Sequence, residues 1–99
     1  MTSAYLVADI TVTDPSLYAE YGRLGQEILL RSGGRFLARG GAVERLDGTW
    51  EPVRVSVIEF PDLATARGWY DSPEYQAILP LRLASSSGSL ILVEGYASA

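Results

Sequence analysis

Histidine, cysteine, lysine and asparagine are all missing from this chain. Without them, thiol or imidazole catalysis, Ser-His-Asp triads and Schiff-base lysines are excluded. So are zinc held by nitrogen or sulfur and haem held by an axial His. No disulfide framework can form, and cysteine usage carries no evidence about redox compartment. What remains for chemistry is Asp, Glu, Tyr, Arg, Ser, Thr, Gln and the backbone. All eight cations are arginine, a residue suited to bidentate recognition of carboxylate or phosphate, although codon bias produces the same composition.

Charge and hydropathy narrow the class further. The net charge of −4 opposes a polyanionic partner, because nucleic-acid binding depends on clustered cations, so neither DNA nor RNA is expected. The opening MTSAYLVADI has no basic segment and only a short apolar run, too brief for a signal peptide or a membrane span. No membrane partner is therefore expected, and the expected location is the cytoplasm. With 47% apolar and 20% charged residues and no low-complexity tract, the 99 residues read as one globular domain, 1–99.

Periodicity then suggests the elements. AYLVADITV (4–12) alternates as a strand, with Leu6, Ala8, Ile10 and Val12 on one face and Tyr5, Val7, Asp9 and Thr11 on the other. Asp14 and Pro15 open a helix that Gly33 and Gly34 stop, and Leu17, Tyr21, Leu24 and Ile28 form its apolar stripe. RFLARGGAVERL (35–46) and VRVSVIEF (53–60) are expected to pair as a hairpin across Asp47-Gly48, with a bulge or bend at Gly40-Gly41. Asp62 caps a second helix. Ser72-Pro73 open a third, short one that Pro80 is expected to end or kink, and SSSGS (85–89) reads as a solvated connector to a last strand, 90–96.

The order β-α-β-β-α-β is the split βαβ plan of α+β ferredoxin-like domains, a four-stranded antiparallel sheet with its helices on one face. Assigning Leu6, Ala8, Ile10, Phe36, Ala38, Ile58, Phe60, Ile91 and Val93 to the helix side leaves an uncovered face. That face holds Tyr5, Val7, Asp9, Leu37, Arg39, Val55, Val57, Glu59, Leu92 and Glu94. So large an apolar patch exceeds what a monomer usually exposes, so the expected partner is a second copy packed sheet against sheet as a closed dimeric α/β barrel.

Two readings of the charges follow. Asp9, Glu59 and Glu94 are expected together with Arg39 on the uncovered face, where an arginine fork beside carboxylates can bind a small acidic or phenolic ligand while one acid exchanges protons. The same charges can instead form an ion-pair network that only sets dimer register. Arg39 is the prime candidate, because the neighbouring Gly-Gly pair can bend the strand toward a ligand.

The segments ADITVTDPSLYAEY, GGRFLARGG, IEFPDLATARGWYDSPEYQ and LVEGY together resemble the family catalogued as domain of unknown function 1330, over nearly the whole chain. The resemblance implies a dimeric α/β barrel and no particular reaction. Its architecture is shared by cofactor-free monooxygenases, muconolactone isomerases and haem-binding peroxidases, so fold analogy selects no chemistry. In this architecture the cleft lies between the sheet and the second helical segment, which directs Tyr75 and Arg82 toward it. The candidate ligand-binding set is thus Arg39, Asp9, Glu59, Tyr75 and Arg82, with no catalytic residue assigned and neither metal nor cofactor expected. The joint Asp71-Ser72-Pro73-Glu74 reads as capping, not catalysis. The functional expectation is a small-molecule-binding barrel acting without cofactor on a small acidic or aromatic metabolite; the alternative is a dimerisation module with no ligand.

Overall fold

The computed structural model describes residues 2–97; Met1, Ser98 and Ala99 lie outside the described residues. Strand β1 (Ala4–Val12) is followed by α1 (Pro15–Arg31), β2 (Arg35–Arg39), β3 (Val55–Phe60), α2 (Leu63–Asp71), α3 (Pro73–Ser85) and β4 (Ser86–Glu94). The four strands form one antiparallel sheet in the order β2-β3-β1-β4. This is the ferredoxin-like arrangement.

Local chemistry places the helix ends. The Asp14 carboxylate accepts the Leu17 amide at 3.2 Å with Pro15 at the first helical position, and Asp62 accepts the Thr65 amide at 2.7 Å. Ser72 serves two helices: its hydroxyl donates to the Trp69 carbonyl at 2.8 Å, closing α2, and accepts the Tyr75 amide at 3.1 Å, opening α3. Glu74 sits in the first turn of α3, where the helix dipole favours it, and Asp71 pairs with Arg67 one turn back.

Helix α3 runs through Pro80 to Ser85 instead of ending there. Pro80 and Gln76 are both exposed, so the carbonyl that loses its intrahelical donor can be hydrated. The serines expected to be a connector close this helix. Ser85 Oγ donates to Leu81 O at 2.6 Å and Ser86 Oγ to Arg82 O at 2.6 Å, while the Ser85 carbonyl accepts the amides of Thr13 and Asp14. Ser85 is fully buried, and β4 begins at Ser86.

The expected hairpin is a short strand and a long loop. After β2 the chain leaves the sheet at Gly40 (φ +62°) and stays irregular through residue 54; it bends at Gly48 (φ +86°) without forming the expected hairpin turn. The amides of Val53 and Arg54 go to the Asp9 carboxylate, at 2.9 and 3.1 Å, instead of to β2, and the Trp50 indole donates to Asp9 at 3.0 Å. Asp9 therefore clasps the loop to β1.

Two face assignments change. In β2 the pairing shifts register between Phe36 and Ala38, with Phe36 opposite Ile58 but Arg39 opposite Ser56. Leu37 is the additional residue, and the bulge turns Arg39 to the helix side. In β4, Leu90 pairs with Ala8 and Leu92 with Leu6, so these two face the helices and Ile91 and Val93 face outward, the reverse of the expectation. Glu94 lies opposite Ala4, on the helix-side parity. The LILV run is apolar in both phases, so polarity could not choose between them. The core joins Ala4, Leu6, Ile58 and Phe60 of the sheet to Ile28, Leu29, Ala66, Trp69, Tyr75 and Ile78 of the helices.

Gly88 (φ +143°) approaches β1 so closely that an added Cβ would lie 2.1 Å from the Asp9 carbonyl oxygen. A Gly88→Ala substitution is expected to cost about 2 kcal/mol or more in urea denaturation. Gly22→Ala in α1, where a Cβ meets nothing within 4 Å, should gain about 0.5 to 1 kcal/mol.

The clasp has a pH signature. Asp9 is held below the ordinary aspartate value, first by the Val53 amide, then by the Arg54 amide and Trp50 indole, against partial desolvation. Its folded pKa lies below the unfolded one, so its contribution is fully present above the ordinary aspartate pKa and is lost as pH falls through the folded pKa. Asp9→Asn keeps an acceptor but loses the one serving Trp50. Its stability deficit against wild type, followed by urea denaturation from pH 7 to pH 2.5, should be constant near neutrality and shrink below about pH 4.

Candidate functional site

Between the sheet and α1 to α3 lies a cavity of about 90 Å³. The floor is apolar, from Leu6, Ala8 and Ile10 of β1 and Ile58 of β3, with Phe36, Leu29, Trp69 and Leu90 around it. Helix α1 contributes Gly22 and Gly25 at this wall, spaced three residues apart on one helix face. At Gly22 a Cβ would meet open space, so the glycine leaves the hollow unfilled.

The polar lining is Arg39, Arg54, Arg82, Tyr18, Tyr21, Gln26 and Ser56; among the described residues no Asp or Glu lines the cavity. Arg39 owes its place to the bulge at Leu37. Its guanidinium stacks 4.3 Å from the Phe36 ring centroid and donates to Gln26 Oε1 at 2.6 Å. Arg54 stands 5.6 Å over the Tyr18 ring. Among the described residues the ion pairs use Arg35, Arg45 and Arg67, so Arg39, Arg54 and Arg82 have no carboxylate partner. The buried Arg82 Nε and Trp69 Nε1 carry no hydrogen bond at all. A buried donor without a partner costs on the order of 1–3 kcal/mol, so these two mark a place where an acceptor would be stabilising.

Tyr75 lies behind this lining. It is fully buried, with its ring 4.4 Å from that of Trp69, and its hydroxyl shares a 2.9 Å hydrogen bond with that of Tyr21. Burial, reinforced by Tyr75 and opposed by Arg82, pushes the Tyr21 hydroxyl far above the ordinary tyrosine value. Tyr21 is therefore neutral at physiological pH, a hydrogen-bonding group and not a base.

The five sequence-derived candidates thus divide between two faces. Arg39 and Arg82 line the cavity, and Tyr75 supports it through Tyr21. Asp9 and Glu59 point to the opposite face of the sheet, where Asp9 clasps the loop and Glu59 pairs with Arg35 at 2.6 Å. Glu59 is held below the ordinary glutamate value, first by the Arg35 hydrogen bond and next by Ser3. The expected arginine–carboxylate cluster does not form, because the bulge separates Arg39 from both acids. Arg54, Gln26, Tyr18 and Tyr21 were not among the candidates. Arg54 shares the helix-side parity of Ser56, Ile58 and Phe60, and the three-residue spacing of Gly22 and Gly25 marks where α1 is thinned, so both signals were present in the sequence.

Among the described residues no group of three or more potential metal ligands of the His, Cys, Asp or Glu types comes together, and no helix is long and apolar enough to cross a membrane.

No match is found among curated proteins. Among solved structures, a protein of unknown function from Rhodopseudomonas palustris aligns with a TM-score of 0.79 at 19% identity, covering 98% of this chain and 85% of that one. SnoaB, a cofactor-independent oxygenase from Streptomyces nogalater, aligns with a TM-score of 0.66 at 16% identity, covering 99% and 97%. A dimeric ferredoxin-like protein of unknown function from Jannaschia sp. CCS1 aligns with a TM-score of 0.60 at 13% identity, covering 96% and 99%. At these identities the likeness is one of fold. Residues 3–96 match a single family model, and the chain belongs to the family described as domain of unknown function (DUF1330).

Proposed function

We propose that the chain binds a small acidic or phenolic metabolite by its anionic group at the cavity between sheet and helices, through Arg39, Arg54 and Arg82. The observation that carries this reading is a cation-lined, apolar-floored hollow with no carboxylate in its wall and unpartnered donors on Arg82 and Trp69. Arginines without counter-charges beside an apolar floor, Arg54 and Arg82 half-buried and Arg39 exposed at the rim, favour an oxyanion, and aromatic neighbours favour a planar one. A phenol or enol bound here is stabilised in its ionised form, because the guanidinium groups lower its pKa. The likeness to a neighbour named as a cofactor-independent oxygenase supports extending the reading from binding to cofactor-free turnover of such an anion.

4-Nitrophenol tests this directly. Protein should increase its phenolate absorbance at a pH below the free phenol's pKa, and benzoate should raise the melting temperature. Arg82→Ala and Arg39→Ala should each weaken binding about 10- to 100-fold, the loss of one charge-assisted hydrogen bond. A folded wild-type protein with no spectral or thermal response to any acid or phenol removes the ligand reading and leaves the dimerisation module.

The chain also pairs, in this proposal, with a second copy through the sheet face away from the helices. That face carries Val7, Val55, Val57, Ile91 and Val93, with Ile91 58% and Val93 47% exposed. An apolar row of this extent favours cover by a partner. Sedimentation should give a dimer at micromolar concentration, and Val57→Glu, which places a charge at its middle, should give a folded monomer. A monomeric wild type contradicts the pairing.

A further inference from the structure

A second hollow of about 500 Å³ opens beside the first, between α2, α3 and β4. The two share Leu6, Trp69, Arg82 and Leu90 in their walls. Their sizes differ in a way that decides what each can hold. At about 90 Å³ the inner cavity is smaller than a cavity of roughly 150 Å³ that holds benzene, so it admits a small group and not a whole aromatic metabolite. The outer hollow falls within the roughly 300–1,000 Å³ range of ligand pockets.

The linings differ in kind as well. The inner wall brings three arginines; the outer wall includes Tyr70, Leu83 and Leu92 with two arginines, Arg67 and the shared Arg82. Arg67 is already paired with Asp71 at 3.1 Å, which leaves Arg82 as the unpaired cation of the outer hollow and the bridge to the inner one. Leu83, 62% exposed, forms an apolar wall of the outer hollow together with Tyr70 and Leu92. The donors without partners, Arg82 Nε and Trp69 Nε1, belong to the residues common to both hollows.

We infer that the two hollows are one bipartite site for an amphipathic carboxylate: an anionic head in the inner cavity, held by Arg82 with Arg39 and Arg54, and an apolar body of acyl or aryl type in the outer hollow. This rests on the anion-binding reading above and adds the size and polarity of the rest of the ligand. Charge complementarity selects the head, since neither lining includes an acid. Apolar area selects the body. Because neither unpartnered donor is wetted in this structure, engaging them takes a small side-chain shift at the common wall.

Calorimetric titration of the full chain with acetate, butanoate, hexanoate and octanoate, and with octanol, tests the division. Affinity should rise by about fourfold per added methylene while the chain extends along the outer hollow, and octanol should bind at least tenfold more weakly than octanoate. Leu83→Asp, on an exposed α3 position that lines only the outer hollow, should flatten the chain-length dependence, weakening octanoate more than acetate; Arg39→Ala should weaken every acid by a similar factor. Binding of all acids with no dependence on chain length overturns the bipartite site and spares the anion-binding reading. Binding of none overturns both. Octanol equal to octanoate, or a Leu83→Asp protein whose sedimentation changes while its chain-length dependence does not, shows that the outer hollow serves an uncharged ligand or a second copy of the chain and overturns the inference.

Discussion

Only one side of the four-stranded sheet is covered by helices, so every strand residue is committed either to the core and cavity or to the outer face. Strand β1, paired with β3 on one side and β4 on the other, sets that commitment for most of the sheet: Ala4, Leu6, Ala8 and Ile10 are buried under the helices, and the partners in register with them follow. Because side chains alternate with a period of two, one inserted residue reverses the face of everything beyond it on that strand. The bulge at Leu37 does this to Arg39. It moves a cation out of a row of carboxylates and into a hollow that has none.

That displacement explains the electrostatic character of both sides. On the outer face the acids have their own partners: Glu59 has Arg35 and Tyr5, and Asp9 has two amides and an indole. Their lowered pKa values reflect structural service, keeping them ionised and hydrogen-bonded, and neither is available as a general base to the cavity. On the inner side, Arg39 and Arg54 are held over aromatic rings and Arg82 by burial, with no neutralising acid in the lining. Arginine suits such a position because its guanidinium is weakly hydrated and stacks on rings while retaining donors for an anion. Acid/base chemistry by a carboxylate, one of the expectations from residue types alone, has no residue in this lining to carry it.

Much of the framework was legible from short-range chemistry. The caps at Asp14, Asp62 and Ser72 and the proline at position 15 each act within three or four residues, and each takes the role its neighbours suggest. The element order follows from them. Elements decided by distant partners were harder to read. Pro80 looked like a helix end, yet the exposure of its face lets α3 continue. Ser85 and Ser86 looked like solvated linker, yet they close α3 from the inside because β1 and α1 receive the Ser85 carbonyl. The run over 35–46 and the strand from Val53 read as a hairpin, yet the chain leaves the sheet at Gly40 and Asp9 takes the amides of Val53 and Arg54.

The sequence by itself determined the order of elements, the family and the exclusion of imidazole, thiol and lysine chemistry, since these depend on residue identity and on contacts close along the chain. It also named Arg39 and Arg82 as candidate residues. Tertiary structure alone decided the faces of β2 beyond its bulge and of β4, and with the former the separation of Asp9 and Glu59 from Arg39. The reason is physical: register is set between strands, by pairings whose partners lie tens of residues apart, and an apolar run such as LILV is compatible with either phase until its neighbour chooses one.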